Sequence, residues 1–290
     1  MPLNARGPNS EPRPVLSVLI PASNEETLIR HCLECVLQSR WDHAELFETI
    51  VISNGSRDRT AQIALAMRGR FADKGLDLKV LDRKQGGKLA ALNAGDHVAQ
   101  APIRVYLDAD VEISDGLIAE LYETLDTAEP RYASGTLVLA HPQSWATRAY
   151  ARIYAKVPFM THGVPGAGVF AVNAAGRMRW DEFPDIISDD TYVRLSFRPE
   201  ERIGVSATYT WPLVEGWGNL VRVRRRQNAG VDEIREHHPD LLRNDDKPAF
   251  PFREKLKLAL QDPIGFAVYS GVALAVRVTL GRSSGWSRGR

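Results

Sequence analysis

Short apolar runs separated by stretches with helical periodicity fill the first 110 residues, and this alternation leaves few folds open. Residues 15–20 are nearly all apolar and end at Pro21, as a buried strand would. Ser23 and Asn24 then offer a helix cap, with Glu25 and Glu26 in the first turn, where acids suit the helix dipole. Leu28, Ile29, Cys32, Val36 and Leu37 carry the helical period. Further runs at 47–52, 78–81 and 103–107 read as strands, with helices over 60–67 and from Gly86-Gly87 to Val98. Strands and helices alternating at this spacing mean βαβ units and a mostly parallel sheet. Residues 15–110 therefore predict the nucleotide-binding half of an α/β domain.

Composition narrows the class. A length of 290 residues suits one large domain with additions, and 44% hydrophobic with 25% charged residues is an ordinary soluble balance. A net charge of +1 gives no field to attract nucleic acid, so no nucleic-acid partner is expected. Cys32 and Cys35 lack the about two further ligands that a zinc site needs, and read as small core residues. With no disulfide framework, a reducing compartment fits. Residues 1–14 are polar with four prolines and read as a disordered arm, not a signal peptide.

The run at 103–107 ends in Asp108-Ala109-Asp110. In open α/β sheets ligands bind outside the carboxyl ends of the strands. Two carboxylates this close repel unless a cation or proton lies between them, and a hard divalent ion that also binds a substrate phosphate resolves the repulsion. A plain surface turn is the other reading. No Gly-x-Gly-x-x-Gly follows the first run, and Gly86-Gly87-Lys88 lacks the Ser or Thr of a P-loop, so both nucleotide motifs are excluded. Lys88 still falls at a helix N-terminus, a natural phosphate site, against the plainer reading of a solvated lysine after a glycine turn.

The second half predicts a helix at 115–125, a strand at 132–139, a helix at 145–157, a glycine-rich loop at 162–168 and a strand at 169–172. Ser188-Asp189-Asp190 opens another helix, where dipole capping explains the two acids as well as catalysis does. The run Arg222-Val223-Arg224-Arg225-Arg226 reads either as a solvated basic face or as a clamp for an anionic group.

The order of these motifs is more specific than any one of them. Pro21-Ala22-Ser23-Asn24-Glu25, Ser53-Asn54-Gly55-Ser56-Arg57-Asp58, Gly87-Lys88 with Ala91-Leu92-Asn93-Ala94-Gly95, Asp108-Ala109-Asp110, Ser188-Asp189-Asp190 and the arginine cluster follow one another. Together they resemble the family 2 glycosyltransferases of the GT-A fold, a Rossmann-like mixed, mostly parallel sheet flanked by helices. The resemblance covers roughly residues 15–230, divided into a nucleotide-binding half at 15–110 and an acceptor half at 111–230. It implies that Pro21, Ala22 and Glu25 line the nucleotide site, that Asn54 and Asp58 lie near base and ribose, and that Lys88 sits by the nucleotide. Asp108 would contact the ribose side and help Asp110 hold Mg²⁺ or Mn²⁺ on the diphosphate of a nucleotide diphosphate sugar. Gly166 and Gly168 would approach the donor sugar, and Arg225 and Arg226 the diphosphate. Asp190 takes the place of the catalytic base, preceded by Asp189.

Departures refine the reading. Ser53-Asn54 stands where the family commonly has two aspartates; an amide carbonyl can still accept from the uracil N3–H, so uridine is favoured over guanosine. The Gln-x-x-Arg-Trp of processive members is missing, with Val223 and Gln227 at its ends, which points to transfer of a single sugar with inversion onto an acceptor hydroxyl. A sugar nucleotidyltransferase and a silent sugar-nucleotide-binding module are the alternatives.

Residues 231–290 form an expected helical extension, in which 264–276 is almost wholly apolar. It is too short for a spanning helix, which needs about 20 residues, and reads as an interfacial segment or as a helix packed on the domain. Arg282, Trp286, Arg288 and Arg290 beyond it suit an anionic headgroup layer. The expectation is peripheral contact at the cytoplasmic face of a membrane, with a lipid-linked or cell-envelope glycan as acceptor.

Overall fold

A computed structural model, describing residues 13–278, pairs the apolar runs into one mixed sheet. Its strands are β1 (Leu16–Ala22), β2 (Phe47–Asn54), β3 (Asp77–Arg83), β4 (Ile103–Leu107), β5 (Glu112–Ile113), β6 (Tyr132–Leu139), β7 (Val169–Val172) and β8 (Arg202–Trp211). They lie in the order β3-β2-β1-β4-β7-β6-β8-β5. The pairs β3/β2, β2/β1, β1/β4 and β6/β8 are parallel, and β4/β7, β7/β6 and β8/β5 are antiparallel. The expected α/β class with a mostly parallel, mixed sheet is what the chain forms.

Helices cover both faces. In chain order they are α1 (Ile29–Gln38), α2 (Thr60–Ala66), α3 (Arg68–Ala72), α4 (Lys88–Val98), α5 (Leu117–Leu125), α6 (Trp145–Tyr154), α7 (Pro158–Thr161), α8 (Ala174–Arg177), α9 (Asp189–Leu195), α10 (Trp217–His237), α11 (Phe252–Gln261) and α12 (Pro263–Val278). The two-residue period of a strand explains how β1 serves both layers. Leu16, Val18 and Ile20 face Ile29, Leu33 and Phe71, while Leu19 joins Ile50, Ile52, Ala91 and Leu92 on the other side. β1 and β2 are buried on both faces, which is why they read as mostly apolar runs; the buried Glu48 of β2 is held by the Ser17 hydroxyl and the Lys79 ammonium.

Three elements differ from the sequence expectation. β1 does not stop at Pro21 but runs through it to Ala22, with Pro21 opposite Ile52. β4 pairs only with residues 16–19, so the N–H that Pro21 lacks forfeits no bond to β4. α1 begins at Ile29, four residues later than the polar cap suggested. Ser23 instead donates to the carbonyl of Asn54 (2.7 Å), and Asn24, at φ +55°, accepts from the Arg57 N–H (2.8 Å). The N–H groups of Glu25 and Glu26 go to the Thr60 hydroxyl (2.8 Å) and the Asp58 carboxylate (3.2 Å). Short polar side chains that favour caps favour such loop bridges equally, and here they tie the β1–α1 loop to the β2–α2 loop. The helix expected over 145–157 ends at Tyr154, and Pro158 opens the separate turn α7.

The C-terminal part is built into the domain. α10 runs unbroken across the expected boundary at 230, and α12 lays Val268, Val272 and Val276 against the molecule, where α6 and α10 flank it. Gly271 admits the Trp217 ring so closely that a Cβ there would lie 2.6 Å from it. This is the packed-helix reading for one face of the apolar segment; Ile264, Leu274 and Val278 remain exposed on it. Among the described residues no helix is long and apolar enough to cross a membrane. Most of the expected disordered arm, and Arg282, Trp286, Arg288 and Arg290, lie outside the described residues.

Candidate functional site

The carboxyl ends of β1, β2 and β4 open into a cavity of about 540 Å³. Three elements bring ionisable side chains to its floor: the turn after β4, the first turn of α4 and the first turn of α9. Lys88 Nζ lies 2.8 Å from Asp108 Oδ1 and 3.0 Å from Asp189 Oδ2. The lysine is therefore not the solvated one of the plainer sequence reading; it bridges two acids from distant parts of the chain. Gly87 makes this entry possible, since its φ of +124° is a conformation that favours glycine. The Asp108 N–H donates to the Gly168 carbonyl (2.8 Å), which anchors the acid turn to the strand entering β7.

Electrostatics at this floor follow from crowding. Burial pushes the Asp108 carboxyl up to about 6, with Asp110 and Asp189 adding to the rise and Lys88 opposing it. Burial, then the neighbouring Asp189, also raises Asp190, against Lys88 and the N–H and hydroxyl of Thr191. Burial disfavours the Lys88 ammonium, but Asp108, Asp189 and Asp190 outweigh it and hold its pKa above the ordinary value. The acids outnumber the cation, so the floor attracts a further positive charge.

Most of the residues singled out in the sequence meet here. Pro21, Ala22, Glu25 and Asn54 line one side, Lys88, Asp108 and Asp110 the floor, and Gly168, Asp189, Asp190 and Arg226 the rest. Three do not line the cavity. The Asp58 carboxylate accepts from Thr60 and from the Glu26 N–H, so it braces the two loops. Gly166, at φ +65°, packs against the Tyr132 hydroxyl, 1.7 Å from where a Cβ would stand. Arg225 belongs to the same helix but to another side of it than Arg226 and Arg224. Asn54 is 5% exposed, and its Oδ1 accepts no hydrogen bond among the described residues. Such an orphaned buried acceptor calls for a donor, as a base N–H would supply.

Sequence reasoning missed the far wall. Tyr150 and Tyr154 from α6, Trp211 at the end of β8, Pro212 to Val214 after it, and Leu220 and Arg224 from α10 also line the cavity. The spacing of Tyr150 and Tyr154 by one helical turn was the signal available. Arg224 donates to the hydroxyls of Tyr150 (2.9 Å) and Tyr269 (3.4 Å). Cys32 and Cys35 are both free, and Cys32 is buried in the core, as small core residues would be.

For a divalent ion the donor set is partial. Among the described residues no three His, Cys, Asp or Glu side chains are grouped to hold a metal. Asp108 and Asp110 alone fit an ion that completes its shell with substrate phosphates and water, which is the usual arrangement for Mg²⁺.

A mixed sheet with helices on both faces, carrying an acid pair at the end of its central strand, is the architecture of the GT-A fold. The chain belongs to glycosyl transferase family 2, whose model matches residues 17–179. It is 33% identical over 97 residues to the glycosyltransferase AglE of Haloferax volcanii, covering 33% of this chain and 31% of that protein. It is 28% identical over 152 residues to the dolichyl-phosphate beta-glucosyltransferase ALG5D of Trichomonas vaginalis, covering 49% and 45%. The matches thus span less than half the length of these relatives. Among solved structures, the mannosyltransferase PcManGT from Pyrobaculum calidifontis, in complex with GDP-Man and Mn²⁺, superposes with a TM-score of 0.58 at 19% identity, covering 94% of this chain and 76% of that one.

The raised Asp108 carboxyl has a consequence for stability. An ordinary aspartate titrates near pH 3.9, and folded Asp108 at about 6. Between these values the unfolded chain has released its proton and the folded chain has not, so stability falls as pH rises through this window and stays low above it. With about a third of the side chain exposed, the effect after solvent screening is at most about 2 kcal/mol. In metal-free buffer, Asp108→Asn should therefore gain several degrees in melting temperature relative to wild type at pH 7.5 and little at pH 4.5. Equal differences at both pH values in calorimetry would contradict the crowding.

Proposed function

We propose that the chain transfers a single sugar from a nucleotide diphosphate sugar to an acceptor hydroxyl, with inversion at the anomeric carbon. The observation that carries this reading is the sorting of three acids at the floor of one cavity: Asp108 and Asp189 are engaged by Lys88, while Asp190 lines the cavity with its carboxyl raised. A base whose pKa lies closer to the working pH is better suited to remove a proton in the transition state.

The roles follow from placement. Pro21, Ala22 and Glu25 would flank the nucleotide, and the Asn54 carbonyl would accept a base N–H, with UDP favoured as the carrier. Asp58 would act one step back, by fixing the loop that carries Asn54. Gly168 would let the donor sugar approach the backbone, with Gly166 shaping the turn before it. Asp110 and Asp108 would hold Mg²⁺ or Mn²⁺ against the diphosphate, where such an ion neutralises charge developing on the leaving group. Lys88 adds a fixed positive charge beside that group, and Arg226 a second from the opposite wall, with Arg225 behind it. Asp190 would take the proton of the acceptor hydroxyl as it attacks in line, opposite the diphosphate. Asp189 would hold Lys88 in place.

Release of nucleoside diphosphate from a donor sugar, with the acceptor present, tests these roles. Asp190→Asn should lower turnover by about 10²–10⁴-fold and leave donor binding nearly intact, since the loss falls on the transition state. A mild Asp190→Asn beside a crippling Asp189→Asn would overturn the assignment of the base. Release of pyrophosphate from a nucleoside triphosphate mixed with a sugar 1-phosphate, with no nucleoside diphosphate released from the donor sugar, would make the chain a sugar nucleotidyltransferase.

A lipid-linked acceptor at the cytoplasmic face of a membrane is the second part of the proposal. Its support is the exposed side of α11, where Phe252, Leu256 and Leu260 recur every four residues among exposed Arg253, Lys255 and Lys257. An apolar stripe flanked by cations suits the headgroup layer of an anionic bilayer. The full chain should float with anionic liposomes and lose binding in high salt. Leu256→Ser with Leu260→Ser should cut the bound fraction at least about tenfold, given roughly 1.5–3 kcal/mol per buried leucine. Equal flotation of variant and wild type would remove α11 from any membrane contact.

A further inference from the structure

Arg224 is the unusual cation of the cavity. It lines the same cavity as the acid floor, and among the described residues no carboxylate lies within ion-pair distance of it. Two phenols hold it instead. Its Nη1 donates to the Tyr150 hydroxyl at 2.9 Å, and Nη1 and Nη2 both reach the Tyr269 hydroxyl at 3.4 Å. Its guanidinium carbon also lies 5.4 Å from the centre of the Tyr269 ring. A phenol oxygen accepts hydrogen bonds and brings no charge, so this clamp fixes the direction of the guanidinium and leaves its charge uncompensated. An acidic partner would have oriented the side chain and cancelled its attraction for an anion at the same time.

Tyr269 does not line the cavity. It sits on α12, behind Arg224, and its ring lies 5.3 Å from that of Tyr150. The family match ends at residue 179, so Arg224 on α10 and Tyr269 on α12 come from the part of the chain beyond the match, while Tyr150 lies within it.

We propose that Tyr269 is a positioning residue for Arg224, and that Arg224 receives the phosphoryl oxygens of the nucleoside diphosphate. This rests on the nucleotide diphosphate sugar reading above and extends it: α12 becomes part of the donor site and not only of the packing. A guanidinium held across the cavity from Lys88 and the acid turn contacts the diphosphate from the side that the floor cannot reach. It offers two parallel N–H donors to phosphate oxygens, a geometry that lysine does not match.

The test compares UDP with UMP, each titrated calorimetrically with Mn²⁺ into the full-length protein, using wild type, Tyr269→Phe, Arg224→Gln and the double variant. Tyr269→Phe removes one oxygen and keeps the ring. It should weaken UDP about two- to tenfold, the range for a net hydrogen bond, and leave UMP nearly unchanged. Arg224→Gln should weaken UDP by more, again with UMP spared. In the Arg224→Gln background Tyr269→Phe should add nothing, because its effect passes through the arginine. A purely structural role would lower UDP and UMP together, or lower them again in the Arg224→Gln background, and either result overturns the proposal. So does a Tyr269→Phe variant that binds UDP as wild type does. A wild-type protein that binds UMP and UDP equally overturns the diphosphate contact while leaving the nucleotide site standing. One that binds neither UDP nor GDP overturns the nucleotide reading, and this proposal with it.

Discussion

Lys88 between Asp108 and Asp189 is the contact on which the site depends. The three residues come from the turn after β4, the start of α4 and the start of α9, and no two of them are within twenty positions of each other except Lys88 and Asp108. An ammonium shared by two carboxylates in a half-buried cavity sets the distance between those elements. It also decides which acids are committed and which are not. Removing the ammonium would leave two crowded carboxylates without their shared partner, a change that is costly in a low-dielectric setting. The sheet brings the three elements near; the ion pairs set how they meet.

Much of this was legible in the sequence. The strands β4, β6 and β7 fall where the apolar runs placed them: β4 and β7 are buried almost throughout, and β6 is buried in its first half and alternates exposed and half-buried residues in its second. The acid turn could be read from its place at a strand end, and the helix of Asp189 and Asp190 from its cap position. What could not be read was which polar side chain bonds to which. Ser23 and Asn24 carry the signature of a helix cap, yet they bind across to a loop more than thirty residues away, as does Asp58 from the other side, a choice that only the tertiary fold decides. β8 was missed because Ser206, Ala207, Thr208 and Gly204 dilute the apolar pattern of a strand near the sheet edge. The far wall was missed for a related reason: Arg224 and Arg226 look alike in sequence, and only the turn of α10 and the two tyrosines distinguish them.

The C-terminal helices change how the molecule is divided. α12 packs on α6 and α10 through Val268 and Val272, and through Tyr269 it touches a side chain of the cavity. Its apolar composition therefore has two sources, a packed face and an exposed one. A sequence window averages the two faces, so the segment resembles a membrane helix that is too short. The same helix stands behind Arg224 of the cavity lining, while Pro21, Asn54, Lys88 and Asp108, which also line that cavity, lie within the region shared with the family.

The acid-crowded floor demands a cation that the protein's own Lys88 only partly supplies, and a nucleoside diphosphate arriving with a divalent ion would meet that demand. The direct measurement is the melting temperature of the full-length protein with nucleotide diphosphate sugars, with Mn²⁺ and with chelator. A donor present at about 100 times its dissociation constant adds close to 2.7 kcal/mol of stability. The melting temperature should therefore rise by several degrees with the right donor and Mn²⁺, and by much less with chelator or with Asp110→Ala. A rise that is the same in chelator, or no rise with any such donor and metal together, would contradict the reading of this floor.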